Sequence, residues 1–122
     1  MDIKQYLELI KVNEINQDFV NNVEKLYKNA LTEELKHIVS IVLDDYFISQ
    51  NCRVLSATEI LRTEYFTGVD FTELAMIPIV DCKDDDYIVY NFATQKFEMY
   101  NIYDEVSFRE ADNLETLIET ME

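Results

Sequence analysis

The acidic string Asp84-Asp85-Asp86, with Asp81 just ahead of it, is the densest set of oxygen ligands in the chain and the first place where chemistry could reside. Calcium suits carboxylates, but the spacing lacks the Asp-x-Asp-x-Asp-Gly pattern and the closing bidentate Glu of an EF-hand loop. No metal site is expected. His37 is the only histidine, and it sits in the apolar stripe of Leu35, Ile38 and Val39 with no Cys or Ser partner in a known motif, so it reads as a helix residue rather than a base or zinc ligand. Cys52 and Cys82 have neither C-x-x-C spacing nor a nearby His. They read as buried, reduced thiols, and with a start of Met-Asp-Ile-Lys in place of a basic, apolar leader the expected home is the cytoplasm. Carboxylates are numerous enough for acid and base roles of the glycosidase kind, yet nothing marks a specific pair. A single Gly leaves no phosphate loop or dinucleotide motif. The chain is expected to be no enzyme and to carry no cofactor.

Charge is the strongest compositional signal. Asp and Glu number 25 against 10 Lys and Arg, a net charge of −15, and such a field repels phosphate backbones and anionic lipid headgroups. Direct nucleic-acid or membrane binding is disfavoured, while a basic protein partner is permitted. The plainer reading is that acidity keeps a cytosolic protein soluble. At 122 residues and 48% apolar, with seven Phe, eight Tyr, one Gly and one Pro, the chain has a core's worth of side chains and little material for flexible loops. One domain over residues 1–122 is expected. No apolar run reaches the about 18 residues of a membrane span.

These residues must be positioned by an α+β arrangement. Ile3, Tyr6, Leu7, Leu9 and Ile10 share a helical face, with Asp2 in the first turn. Asn16 caps a second helix in which Phe19, Val20, Val23, Leu26 and Tyr27 recur at threes and fours. Thr32 caps a third, carrying Leu35, Ile38, Val39, Val42 and Leu43, expected to end at about Leu43 before a turn at Asp44-Asp45. Tyr46-Phe47-Ile48 and Arg53-Val54-Leu55 are short strands. Ser56-Ala57-Thr58-Glu59 is a capping box, with Leu55 and Ile60 as its staple, and the helix it starts is expected to stop at Gly68.

The period then changes. Leu74, Met76-Ile77 and Ile79-Val80 form an apolar run in which Pro78 marks a strand edge, bulge or strand start. Tyr87-Ile88-Val89-Tyr90-Asn91-Phe92 and Lys96 through Tyr103 flank the turn Ala93-Thr94-Gln95 as an antiparallel hairpin. Val106-Ser107-Phe108 adds a short strand, and Asp112 or Asn113 caps a last helix that packs Leu114, Leu117 and Ile118.

This order resembles the SUKH superfamily, which includes the yeast cell-wall assembly regulator family and many bacterial immunity proteins. The resemblance lies in Val23-Glu24-Lys25-Leu26 with Leu31-Thr32-Glu33-Glu34-Leu35, and in Arg53-Val54-Leu55-Ser56-Ala57-Thr58-Glu59-Ile60-Leu61. It continues through Ile77-Pro78-Ile79-Val80-Asp81, Asp86-Tyr87-Ile88-Val89-Tyr90-Asn91 and the closing Glu110-Ala111-Asp112-Asn113-Leu114-Glu115-Thr116-Leu117-Ile118. It covers most of the chain, and its weight lies in the order and spacing of the fragments. The chain departs from the family where Leu31-Thr32 replaces a usual Pro, Asp44-Asp45-Tyr46 a Gly-containing segment, and Cys82-Lys83-Asp84-Asp85 a Gly-rich turn. It resembles a divergent member.

The resemblance implies N-terminal helices packed on a mostly antiparallel sheet with a C-terminal helix, no active site, and a role in binding another protein. Bacterial members are commonly immunity proteins that neutralise toxins, often nucleases. The alternative is a SUKH-type regulatory adaptor for an ordinary cellular protein, and a carboxylate-dependent hydrolase is a third reading that needs a buried carboxylate pair in a pocket. Acidic character suits a basic toxin domain. The candidate contact residues are Asp84, Asp85, Asp86, Asp104 and Glu105 as charges, with Tyr100 and Tyr103 as anchors. Against this, the Asp run also reads as a solvated hairpin turn, and the tyrosines as core or sheet packing.

Overall fold

A computed structural model of the chain describes residues 3–42 and 45–120. The expectations for Asp2, Leu43 and Asp44 lie outside the described residues. Three helices come first, α1 (Ile3–Val12), α2 (Gln17–Tyr27) and α3 (Glu33–Val39). The hairpin β1 (Tyr46–Ser49) and β2 (Cys52–Val54) follows, then α4 (Ala57–Ile60) and α5 (Thr63–Thr67). The chain closes with β3 (Met76–Cys82), β4 (Asp86–Asn91), β5 (Lys96–Asn101), β6 (Val106–Ala111) and α6 (Leu114–Glu119). Among the described residues, six strands pair in sequence order, every neighbour antiparallel, so the sheet is a meander. The fold is α+β, as expected.

Local chemistry starts the helices. Asn16 accepts the Phe19 amide, Thr32 that of Leu35 and Asn113 that of Thr116, each satisfying a first-turn donor at about 1 kcal/mol. The capping box is complete: Ser56 Oγ accepts from the Glu59 amide at 3.3 Å, and Glu59 Oε1 accepts from the Ser56 amide at 3.1 Å.

Two helices end where tertiary contacts dictate. α3 stops at Val39, short of the expected Leu43, because the Ser40 hydroxyl donates to the Lys36 carbonyl at 2.6 Å while accepting the Asn16 amide at 2.8 Å. That bond docks the start of α2, and Val42 is left 58% exposed. Residues 57–68 form two short helices, not the one expected. The Tyr27 hydroxyl donates to the Ile60 carbonyl at 2.9 Å, taking the acceptor that a continuous helix would offer to Glu64, and Arg62 leaves helical geometry at φ −131°. Burial pushes the Tyr27 phenol up to about 12. Gly68 then ends α5 with φ 75°, as its position implies.

The sheet is the centre of the core. Ile77, Ile79, Val80, Ile88, Val89, Phe97 and Met99 are buried, and because successive strand residues face opposite ways, both faces of β3, β4 and β5 are covered. Phe71 covers one face against Tyr87 and Tyr100, with ring centroids 5.9 and 6.4 Å apart. On the other, Tyr90 meets Phe97 and Phe92, and Phe92 meets Tyr27 of α2. Pro78 lies in the interior strand β3 and is accommodated by a register shift between Pro78 and Val80, the bulge among its three options. The strand expected to reach Tyr103 ends at Asn101, and the next runs on to Ala111 rather than Phe108.

His37 serves packing. Its ring donates from Nδ1 to the Asn13 carbonyl at 3.0 Å, and the Asn13 amide returns a bond to the His37 carbonyl at 2.9 Å, clamping the end of α1 to α3.

Candidate functional site

A meander returns the chain to the same end after every second strand. The turns at residues 50–51, 83–85 and 102–105 therefore share one end of the sheet. The second holds the acidic run. Asp84 and Asp85 take φ values of 65° and 66°, and the Asp86 amide donates to the Lys83 carbonyl at 3.4 Å, a two-residue turn of mirrored type I geometry. Asn-Gly is the favoured pair for that turn, and Asp occupies left-handed backbone at a cost that its short polar side chain only reduces.

The third turn is built by Asn101. Its Oδ1 accepts the Asp104 amide at 2.8 Å, and its carbonyl accepts the Glu105 amide at 2.9 Å, with Glu105 at φ 58°. The turn between β4 and β5 repeats the device with Asn91, whose Oδ1 accepts the Ala93 amide at 2.9 Å, and with Gln95 at φ 58°. In both, an Asn side chain caps the turn and a left-handed residue closes it.

Asn101 also joins its turn to the acidic run. Its amide donates to the Asp84 carbonyl at 3.1 Å and to Asp86 Oδ1 at 2.8 Å, and the Ile102 amide donates to the Asp85 carbonyl at 2.9 Å. Asp84, Asp85, Tyr103, Asp104 and Glu105 are thus gathered and exposed at one end of the sheet, with Asp86 half-buried beside them. The two tyrosines part company. Tyr103 is 83% exposed, whereas Tyr100 is 5% exposed and packs on Phe71, so Tyr100 belongs to the core and is not free to anchor a partner.

Three residues of this surface escaped sequence reasoning: Asn101, Val106 and Phe108. Val106 and Phe108 lie half-exposed on the edge strand β6, next in the chain to Tyr103, Asp104 and Glu105. The alternation Val106-Ser107-Phe108-Arg109 was the available signal, since on an edge strand the second apolar residue need not face a core.

A second polar cluster lies on β2 and β3. Arg53 holds Glu59 through two parallel bonds of 2.8 Å, and this pairing first, with the Ser56 amide behind it, keeps the Glu59 carboxyl below its ordinary range. Asp81 faces Arg53 across the ladder, but burial dominates there and raises its pKa, with Arg53 opposing and the Glu59 and Asp85 charges reinforcing. Burial likewise pushes the Tyr87 phenol up to about 12. Arg53, Glu59, Thr63, Phe66, Asp81 and Tyr87 line a hollow of about 170 Å³. That is smaller than the about 300–1,000 Å³ of small-molecule sites. Both Glu59 oxygens are committed to Arg53, so the hollow offers one uncommitted carboxylate where hydrolase chemistry would need two.

A hollow of about 550 Å³ beside α1 and α6 brings together no thiol or histidine among the described residues lining it. Among the described residues, no group of three or more His, Cys, Asp or Glu side chains is placed to hold a metal ion, and no helix is long and apolar enough to cross a membrane. Comparison with family models, curated proteins and solved structures gives no match.

Proposed function

We propose that the protein is a non-enzymatic binding domain that presents its joined acidic turns to a basic protein, and that its role is to neutralise a bacterial toxin domain, a nuclease being the type its charge suits best. The observation that carries this reading is the Asn101 link, which holds two acidic turns from different hairpins as one preformed surface. Preformed charge speeds encounter with a target of opposite sign and lowers the ordering cost of binding. Tyr103, Val106 and Phe108 supply exposed apolar area beside Asp104 and Glu105, the mixture of apolar centre and polar rim that interfaces use. A nuclease offers a positive groove to its phosphate substrate, and an acidic body seated there excludes that substrate by shape and charge. The SUKH-like order of elements supports the same role.

The test is affinity capture with the full chain followed by coexpression of the captured protein. The expected result is a basic protein whose toxicity the chain relieves, with association at low salt slowed when Asp84, Asp85 and Asp86 are all replaced by Ser. A partner bound equally well at any salt concentration and by that triple variant overturns the electrostatic mechanism. A harmless host protein bound at the same turns overturns the toxin and supports the regulatory adaptor.

A further inference from the structure

Cys52 and Cys82, 30 residues apart in the chain, stand directly opposite each other on β2 and β3, with their sulfurs 3.1 Å apart. Both are buried, and no disulfide joins them. Closing to the about 2.05 Å of a disulfide takes about 1 Å of movement, and the about 4.5–5.5 Å between Cβ atoms of directly paired strand residues meets, at its lower end, the about 3.5–4.5 Å that a disulfide accepts. Cys82 also lines an open hollow of about 180 Å³ with Gln50, Asn51, Asp81 and Lys83, so solvent approaches the pair from the Cys82 side.

We propose that Cys52 and Cys82 form an oxidisable dithiol, a modification site whose reactant is a low-molecular-weight disulfide such as oxidised glutathione. One proton shared between the sulfurs favours the first thiolate and disfavours the second. Bonding with Cys82 pulls the Cys52 thiol below its ordinary range, while the same bond and burial push the Cys82 thiol up. The thiolate attacks one sulfur of the small disulfide; that S–S bond breaks, its electron pair leaves with one glutathione thiolate, and a mixed disulfide remains on the protein. The second cysteine, losing its proton, attacks the protein sulfur of the mixed disulfide and expels the other glutathione. Two protein thiols become one disulfide, and one small disulfide becomes two thiols. The product staples β2 to β3 at the residue that enters the acidic turn, whatever that turn binds.

The experiment treats the reduced full chain with oxidised glutathione, followed by acid quench, thiol counting and intact mass. Both thiols are expected to disappear together from a monomer that retains no glutathione. The ratio of internal to mixed disulfide is expected to be at least about tenfold higher in the folded chain than in urea, because the fold holds the second sulfur in place. Cys52→Ser and Cys82→Ser leave one thiol each, and at least one of these variants should stop at a stable glutathione adduct. Persistence of both thiols, a lasting adduct on the wild-type chain, disulfide-linked dimers, or equal ratios folded and unfolded would each overturn the proposal.

Discussion

Asn101 and Asp86 face each other across the β4–β5 ladder, and the Asn101 amide donates to Asp86 Oδ1 at 2.8 Å. The same side chain caps the turn of its own hairpin and bonds the Asp84 carbonyl of the neighbouring one. One amide therefore sets the relative position of two acidic turns. Asn101→Ala should cost about 1–3 kcal/mol in urea unfolding and speed amide exchange in both turns, not one. Asn101→Asp keeps the Oδ acceptor but loses the donor and adds like charge, so it should cost at least as much. Exchange that quickens only at residues 102–105 would show that the turns are not coupled.

The acidic turn itself carries strain. Asp84 and Asp85 hold successive left-handed conformations that Asn-Gly adopts more readily. The double change Asp84→Asn and Asp85→Gly should raise the urea midpoint by an amount equivalent to about 1 kcal/mol, after the entropy cost of the new Gly. The same variant should bind a basic partner more slowly. Unchanged or lower stability would mean that local bonding has already removed the strain.

Glu59 and Asp81 respond to pH with opposite sign. The folded-state pKa of Glu59 lies below its unfolded value, so its pairing contributes stability that is complete above the unfolded pKa and is lost as pH falls through the folded one. Asp81 has a folded pKa above its unfolded value, so its ionisation removes stability as pH rises through that interval. Glu59→Gln should therefore be less stable than wild type at neutral pH, with the gap closing in acid. Asp81→Asn should be more stable than wild type at neutral pH and equal to it in acid. Stability curves measured across that range check both, and parallel curves for either variant refute its assignment.

Glu98 is 3% exposed, and among the described residues its carboxylate accepts from Asn91 Nδ2 at 3.2 and 3.3 Å, Thr94 Oγ1 at 2.8 Å and Ser107 Oγ at 2.6 Å. Four acceptor contacts, all filled by neutral donors, tie β4, β5 and β6 together. Glu98→Gln turns one acceptor oxygen into a donor that faces the Asn91 amide, and should cost about 1–3 kcal/mol. Its cross-strand neighbour Glu110 meets Lys96 at 3.4 Å at the surface, where Glu110→Gln should change stability by less than about 0.5 kcal/mol. Equal effects in thermal unfolding would show that burial of Glu98 is not what matters.

Sequence alone determined what depends on near neighbours. The caps at Asn16 and Thr32, the Ser56 and Glu59 box and the Gly68 stop are bonds or backbone limits within a few residues, and each was legible from its own segment, while the last cap was legible as Asp112 or Asn113 and Pro78 as an edge, a bulge or a strand start. So was the hairpin of β4 and β5, because its two apolar runs flank a short polar turn. The helix ends at Val39 and Ile60 were not, since Ser40 answers to Asn16 and the Ile60 carbonyl to Tyr27. For the candidate site, the acidic residues were legible as types but not as a group. Only strand order and register decided that Asn101 would join the turns, that Cys52 would meet Cys82, and that Tyr100 would point into the core while Tyr103 pointed out. Such contacts arise when distant segments pair, and a shift of one residue in register would turn every side chain of a strand to its other face.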